Sequence, residues 1–328
     1  MMAEIPLLEV CRLKKHFPIR GGLTGGITAQ VRAVDDISFT IARGETLSLV
    51  GESGSGKSTV GRTILGLTPP SAGEIWLNGA RIDQLSRRRI RALRQRMQIV
   101  FQDPFSSLDP RFSVRESLAE PLDNFGLARG ATRAARIHEL LDQVQLPRAA
   151  AERRPHEFSG GQRQRIAIAR ALAPRPDLVI CDEAVSALDV SVKAQIINLL
   201  VDLQRNLGLA MLFISHDLAI VEHLTHRIAV MYLGEIVEIG TREAVFAGPR
   251  HPYTEALLSA VPTPDPGARH RRIVLSGDIP SPRNPPPGCR FHTRCPYAFD
   301  RCRSEAPKLR GPNHHQAACH LDRLPGSA

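Results

Sequence analysis

The sequence predicts an α/β fold built around a largely parallel sheet. Three observations predict it. Short β-branched runs alternate with helical patterns over the first two thirds of the chain. A glycine-rich octapeptide sits between one such run and a helical segment. A pair of acids stands at the end of another apolar run.

The expected strands are Leu47–Val50, Gln98–Phe101, Leu178–Cys181, Met211–Ser215 and Ile228–Tyr232. Val192, Ile196, Leu199, Leu200 and Leu203 recur at helical spacing, so one face of that helix is buried. Alternating patterns at Val34–Ile41 and Glu74–Asn78 predict a smaller antiparallel sheet. Residues from about 113 to 173 show no strand pattern and read as a helical insert. After Ala260 the character changes: prolines gather, including Pro285-Pro286-Pro287, together with four of the six cysteines. That tail is too poor in apolar residues to build much core of its own.

Composition bounds the function. The chain has 328 residues, 42% of them hydrophobic, which excludes wholesale disorder. The longest apolar run, Leu209–Ile214, is far shorter than the ~18 residues a membrane helix needs. Met1–Val10 does not read as a secretory signal, so a cytosolic chain with reduced thiols is expected. The net charge is +10, with seven arginines between Arg81 and Arg96 and a second cluster at Arg269, Arg271 and Arg272. Such charge suits nucleic acid, an anionic membrane face or plain solvation.

Gly51-Glu52-Ser53-Gly54-Ser55-Gly56-Lys57-Ser58 fits G-x-x-x-x-G-K-[ST], followed by Thr59 in the helical run. Glycines let backbone N–H groups turn inward around phosphate oxygens, and the helix start adds its positive dipole end. Lys57 is placed to reach the β- and γ-phosphates of a nucleotide, and Ser58 to bind Mg²⁺. Leu178–Cys181 then delivers Asp182, a Mg²⁺ ligand, and Glu183, a general base for the attacking water.

Phe158-Ser159-Gly160-Gly161-Gln162-Arg163-Gln164-Arg165 resembles the signature motif of ABC-type ATPases. In the same order, Gln102 of Phe101-Gln102-Asp103-Pro104 resembles the Q-loop, Ser186-Ala187-Leu188-Asp189 the D-loop, and His216 the switch histidine. The resemblance implies a P-loop NTPase cassette over residues 5–260. It has a RecA-like parallel core, an antiparallel β subdomain and a helical subdomain at about 103–173. Residues 261–328 form a cysteine-bearing extension. It implies that Ser159, Gly160, Gly161 and Gln162 contact the ATP held by a second ATPase subunit. Gln102 senses Mg²⁺ and water, His216 contacts the γ-phosphate, and Phe17 stacks on adenine. Ala184 stands where the family has proline after the catalytic glutamate.

Arg154–Gly161, Ala187–Gln195 and His251-Pro252-Tyr253-Thr254 are similar to strings in dipeptide/oligopeptide importer ATPases, and the Gly-rich segment Gly21–Gly26 to an insertion of their F-type subunit. This implies two integral membrane permeases, a paralogous ATPase, an extracytoplasmic peptide-binding protein, no nucleic acid, and a peripheral place on the cytoplasmic face of the inner membrane. Nickel and glutathione importers share the machinery. The rival from another class is a soluble ABC ATPase acting on nucleic acid.

Cys289, Cys295, Cys302 and Cys319 are spaced C-x5-C-x6-C-x16-C. Thiolates suit an iron–sulfur cluster or Zn²⁺, and the missing C-x2-C pairs count against a zinc ribbon. Free or paired thiols remain the alternative. The importer resemblance implies a 4Fe–4S cluster. His314, His315 and His320 read as surface residues or substitute ligands, and Cys11 and Cys181 as inert core residues.

Overall fold

The computed structural model describes residues 5–21, 26–103, 107–261 and 272–325. Most of the Gly-rich segment, Pro104 of the Q-loop string, and Arg269 and Arg271 of the second arginine cluster lie outside the described residues. The chain forms two compact units, each assembled from separated stretches. The first contains Ile41–Thr46 and Leu77–Ile214; the second contains Glu9–Thr40, Leu47–Trp76 and the chain from Ser215 onward.

In the first unit, the strand Leu178–Asp182 pairs in parallel with Met97–Val100 on one side and Ala210–Ser215 on the other. Every residue of Leu178–Asp182 and Ala210–Ser215 is buried. Their unbroken apolar runs are what a parallel strand covered on both faces requires. The helix Val190–Leu207 buries Ile196, Leu199, Leu200 and Leu203 and stops at Gly208, which takes the left-handed conformation. The expected insert is helical: Val114–Asn124, Gly130–Gln143 and Gly160–Leu172, with no strand among its described residues. Its first helix starts at a capping box, in which Ser113 Oγ accepts from Glu116 N and Glu116 Oε2 from Ser113 N.

In the second unit, Thr46–Val50 runs parallel to Arg227–Tyr232. Arg227–Tyr232 pairs antiparallel with Glu235–Thr241, which pairs antiparallel with His315–Ala317. The tail thus supplies a sheet strand, which its composition did not suggest. The alternating segments become longer strands, Gly26–Ile41 and Ala72–Leu77, flanking Leu8–Gly21 in a separate sheet. Cys181 is fully buried, as expected, and burial pushes its thiol up to about 12. Cys11 is only half-buried, because Leu8 and Val10 take the inward positions of its strand.

A buried carboxylate ties the tail strand to its neighbour. Glu238 is fully buried and accepts from the Arg250 and His251 backbone N–H groups, and its Oε1 lies 2.6 Å from His315 Nε2. His315 is therefore a core residue and not a surface one, while His320 is held by the Glu305 carbonyl. His251 is also buried, and its Nδ1 accepts from Tyr253 N at the start of the helix Pro252–Leu258.

Burial holds the His251 pKa down to about 4, against an ordinary value of 6.5. Protons are then taken up on unfolding, so stability is at its plateau above about pH 6.5 and falls as the pH drops toward 4. Chemical denaturation across this range should show a shallower acid loss for His251→Gln than for the unaltered chain. Equal slopes would contradict the assignment.

Candidate active site

The phosphate-binding octapeptide leaves the buried strand Thr46–Val50 and enters the helix Lys57–Ile64. Two of its glycines have no room for a side chain. A Cβ on Gly51 would overlap the Met231 carbonyl oxygen, and one on Gly56 the Ala33 carbonyl oxygen; both residues have positive φ. The loop is tied down at Ser55, whose carbonyl accepts from Gly234 N at 2.9 Å, and at Glu52, whose N–H donates to Tyr253 Oη at 2.8 Å. Lys57 is almost fully buried. Its Nζ donates to the carbonyls of Gly51 at 2.7 Å and Glu52 at 2.9 Å, which fold it across the loop.

In the same unit, Phe17 is exposed at 39%, with Lys15 Nζ 4.8 Å from its ring centroid. This excludes a core role and leaves the ring open to stacking. His216 is exposed, directly before the helix Leu218–Leu224. Its flanks are rigid: Asp217 N donates to Ser215 Oγ, and the Asp217 carboxylate accepts from Ala219 N and Ile220 N.

The acids belong to the first unit. Register pairs Val100 with Cys181 and Asp182 with Ile214, so chain just beyond Val100 runs beside the acid pair. Gln102 Nε2 accordingly donates to Glu183 Oε2 at 3.1 Å. Asp182 is buried at the strand end. Glu183 has φ of 51°, a left-handed conformation that a non-glycine residue adopts only under constraint. Three bonds supply the constraint: Glu183 N donates to the Ile214 carbonyl, and Ser186 N and Oγ donate to the Glu183 carbonyl, each at 3.0 Å. These bonds hold the turn at Ala184, where the family has proline.

Ser159 caps the helix Gly160–Leu172, its Oγ accepting from Gln162 N while Gln162 Oε1 accepts from Ser159 N. A Cβ on Gly161 would overlap Val192 Cγ1, and one on Gly160 would touch Leu188 Cδ2 at 3.5 Å. Gly160 thus lies against the Ser186–Asp189 loop, and Gly161 packs so closely on the helix Val190–Leu207 that a side chain there would displace Val192. Ser159, Gln162, Ala187 and Asp189 are exposed and available to a partner.

The four tail cysteines are free thiols in the second unit. Among the described residues no group of three or more His, Cys, Asp or Glu is arranged to hold a metal ion. The thiols nevertheless influence one another. Burial pushes Cys289 up to about 12, and Cys302, Cys319 and Cys295 add charge repulsion. Burial likewise pushes Cys295 up to about 11, with Cys319 and Cys302 adding to it, and raises Cys319.

One functional contact is absent from the motifs. Arg294, next to Cys295, forms a bidentate ion pair with Glu52 of the phosphate loop, at 2.6 and 3.1 Å. The partners are 242 residues apart, and no local pattern marks them.

The arrangement is that of a nucleotide-binding cassette. Residues 34–186 match the ABC transporter family model, and residues 237–302 match the oligopeptide/dipeptide transporter C-terminal region. A Brucella ovis protein named for peptide import and ATP binding is 54% identical over 98% of this chain and 100% of its own length. The glutathione import ATP-binding protein GsiA of Escherichia coli is 58% identical over 84% of this chain and 44% of GsiA. Among solved structures, the dimeric, post-hydrolysis ATP-binding cassette MJ0796 bound to ADP and Pi is similar with a TM-score of 0.64 and 28% identity. It covers 72% of this chain and 98% of its own. CbiO1 of Clostridium perfringens, part of the transporter complex cbiONQ, is similar with a TM-score of 0.65 and 30% identity, covering 74% and 92%. The chain belongs to the ABC transporter family and carries the C-terminal region of its oligopeptide/dipeptide transporters. It is an ATPase by that membership. Among the described residues, no helix is long and apolar enough to cross a membrane.

Proposed function

We propose that this chain is the ATP-hydrolysing subunit of an importer that takes up dipeptides or oligopeptides. The observation that carries the reading is similarity along the whole chain, at 54% identity, to a protein named for peptide import. The matched oligopeptide/dipeptide C-terminal region supports it. A glutathione importer is the second reading, favoured by 58% identity to GsiA; glutathione is itself a tripeptide, so both readings keep one substrate class.

The roles follow from chemistry. Backbone N–H groups of Gly51–Thr59 and the Lys57 ammonium receive the phosphates. Ser58 and Asp182, with Gln102, would hold Mg²⁺, which would neutralise phosphate charge. Glu183 takes the proton of the attacking water, and His216 contacts the γ-phosphate. Ser159, Gly160, Gly161 and Gln162 meet the ATP of a paralogous ATPase subunit, with Ser186–Asp189 between the two sites. Phe17, exposed in this structure, stacks on adenine.

The cassette occupies residues 5–260, with its helical subdomain at about 103–173, and the extension residues 261–328. Two membrane permeases and an extracytoplasmic peptide-binding protein complete the system, and the chain works at the cytoplasmic face of the membrane. Cys289, Cys295, Cys302 and Cys319 would supply the four thiolates for a 4Fe–4S cluster, whose binding would contribute to folding of the apolar-poor tail.

In the assembled importer, Glu183→Gln should lower steady-state hydrolysis by about 100-fold or more while ATP binding persists. Normal turnover would remove Glu183 from the role of base. Salt-sensitive retention on nucleic acid in place of co-purification with two polytopic membrane proteins would overturn the import reading. Anaerobically purified protein should be brown and lose its colour on Cys302→Ser. A colourless protein with stoichiometric zinc would refute the cluster.

A further inference from the structure

The extension reaches the nucleotide loop with two arginines, each beside a cysteine. Arg290 follows Cys289, and Arg294 precedes Cys295. Both side chains are buried, at 9% and 7% exposure. Both bond to carboxylates or carbonyls through their terminal nitrogens, while the buried Arg294 Nε makes no hydrogen bond.

Arg294 pairs with Glu52 through both terminal nitrogens. The Glu52 backbone is engaged at the same time, its N–H by Tyr253 Oη and its carbonyl by Lys57 Nζ. Tyr253 packs against Tyr232 and Phe291, with ring centroids 4.8 and 5.4 Å away, and Phe291 comes from the extension. Arg290 holds the other side of the loop. It pairs with Asp35 and Glu235 and donates to the Leu233 carbonyl. The next residue, Gly234, donates to the Ser55 carbonyl, and Asp35 N donates back to the Gly234 carbonyl. Glu52 and Ser55, three residues apart in the octapeptide, are thus both braced by the extension, one directly and one through a turn.

We propose that Arg294 is a positioning residue of the nucleotide site. It holds Glu52 so that the loop backbone stays in its phosphate-receiving shape, and it neutralises a carboxylate that would otherwise repel the incoming phosphates. The extension is then a working part of the ATP site. A guanidinium is required because the contact is bidentate; an ammonium supplies the charge without the fork. The inference rests on the assignment of the octapeptide as the ATP site.

The test is the ATP dependence of hydrolysis by the assembled importer, with thermal melting of each variant beside it. Arg294→Met should raise KM for ATP about tenfold with kcat changed by less than about twofold, since the contact acts on binding. Arg294→Lys should recover part of the loss. If Arg294→Met does not fold, Glu52→Gln/Arg294→Met, which leaves no buried charge unpaired, is measured instead and should still raise KM. An unchanged KM in the folded Met or double variant overturns the inference, as does a fall in kcat alone. Lys57→Ala separates the two readings. If it leaves hydrolysis intact, the ATP-site assignment itself fails. If it abolishes hydrolysis while the Arg294 variants keep their KM, only the positioning role of Arg294 falls.

Discussion

The second unit depends on the confinement of one loop by backbone. Gly51 and Gly56 lie so close to the carbonyls of Met231 and Ala33 that no side chain fits at either position. A loop pressed that tightly cannot relax into another shape without moving two strands. Two of its own N–H groups are held within the protein, Glu52 N by Tyr253 Oη and Ser55 N by the Glu52 carbonyl, so the shape of the loop is set on folding. Lys57 is folded over the same loop by the Gly51 and Glu52 carbonyls.

The first unit applies the same principle to the acids. A parallel strand buried along its whole length delivers Asp182 to its end, and the left-handed conformation of Glu183 turns the next carboxylate aside. Such a conformation costs on the order of 1–3 kcal/mol. Here Ile214 and Ser186 supply the bonds that hold it. Proline at position 184 would restrict φ at that position, and none of these bonds uses the Ala184 N–H. Gln102 joins through strand register, which brings the chain beyond Val100 alongside Glu183.

Much of this was legible because it is local. The octapeptide, the acid pair, the signature and the buried strands are short strings whose chemistry reads directly. The core strands fall within a residue or so of their expected positions: Gln98–Phe101 became Met97–Val100. What was not legible depends on contacts between distant residues or on backbone angles. Nothing near Arg294 signals Glu52, and nothing near His315 signals Glu238. The tail looked too polar to fold alone. It is ordered by pairing its arginines and its histidine with carboxylates of the phosphate loop and of the strands, and by adding Phe291 to an existing aromatic cluster. The left-handed Glu183 is likewise invisible in a list of residue types.

ATP-binding subunits of this importer family work with membrane permease partners, so transport is the readout closest to the account. The most direct test is uptake of a labelled tripeptide into proteoliposomes holding the complete importer, with this chain on the inner face and ATP enclosed in the lumen. The account predicts uptake that requires both hydrolysable ATP and an intact Lys57. Uptake that persists without ATP or with Lys57→Ala would contradict it.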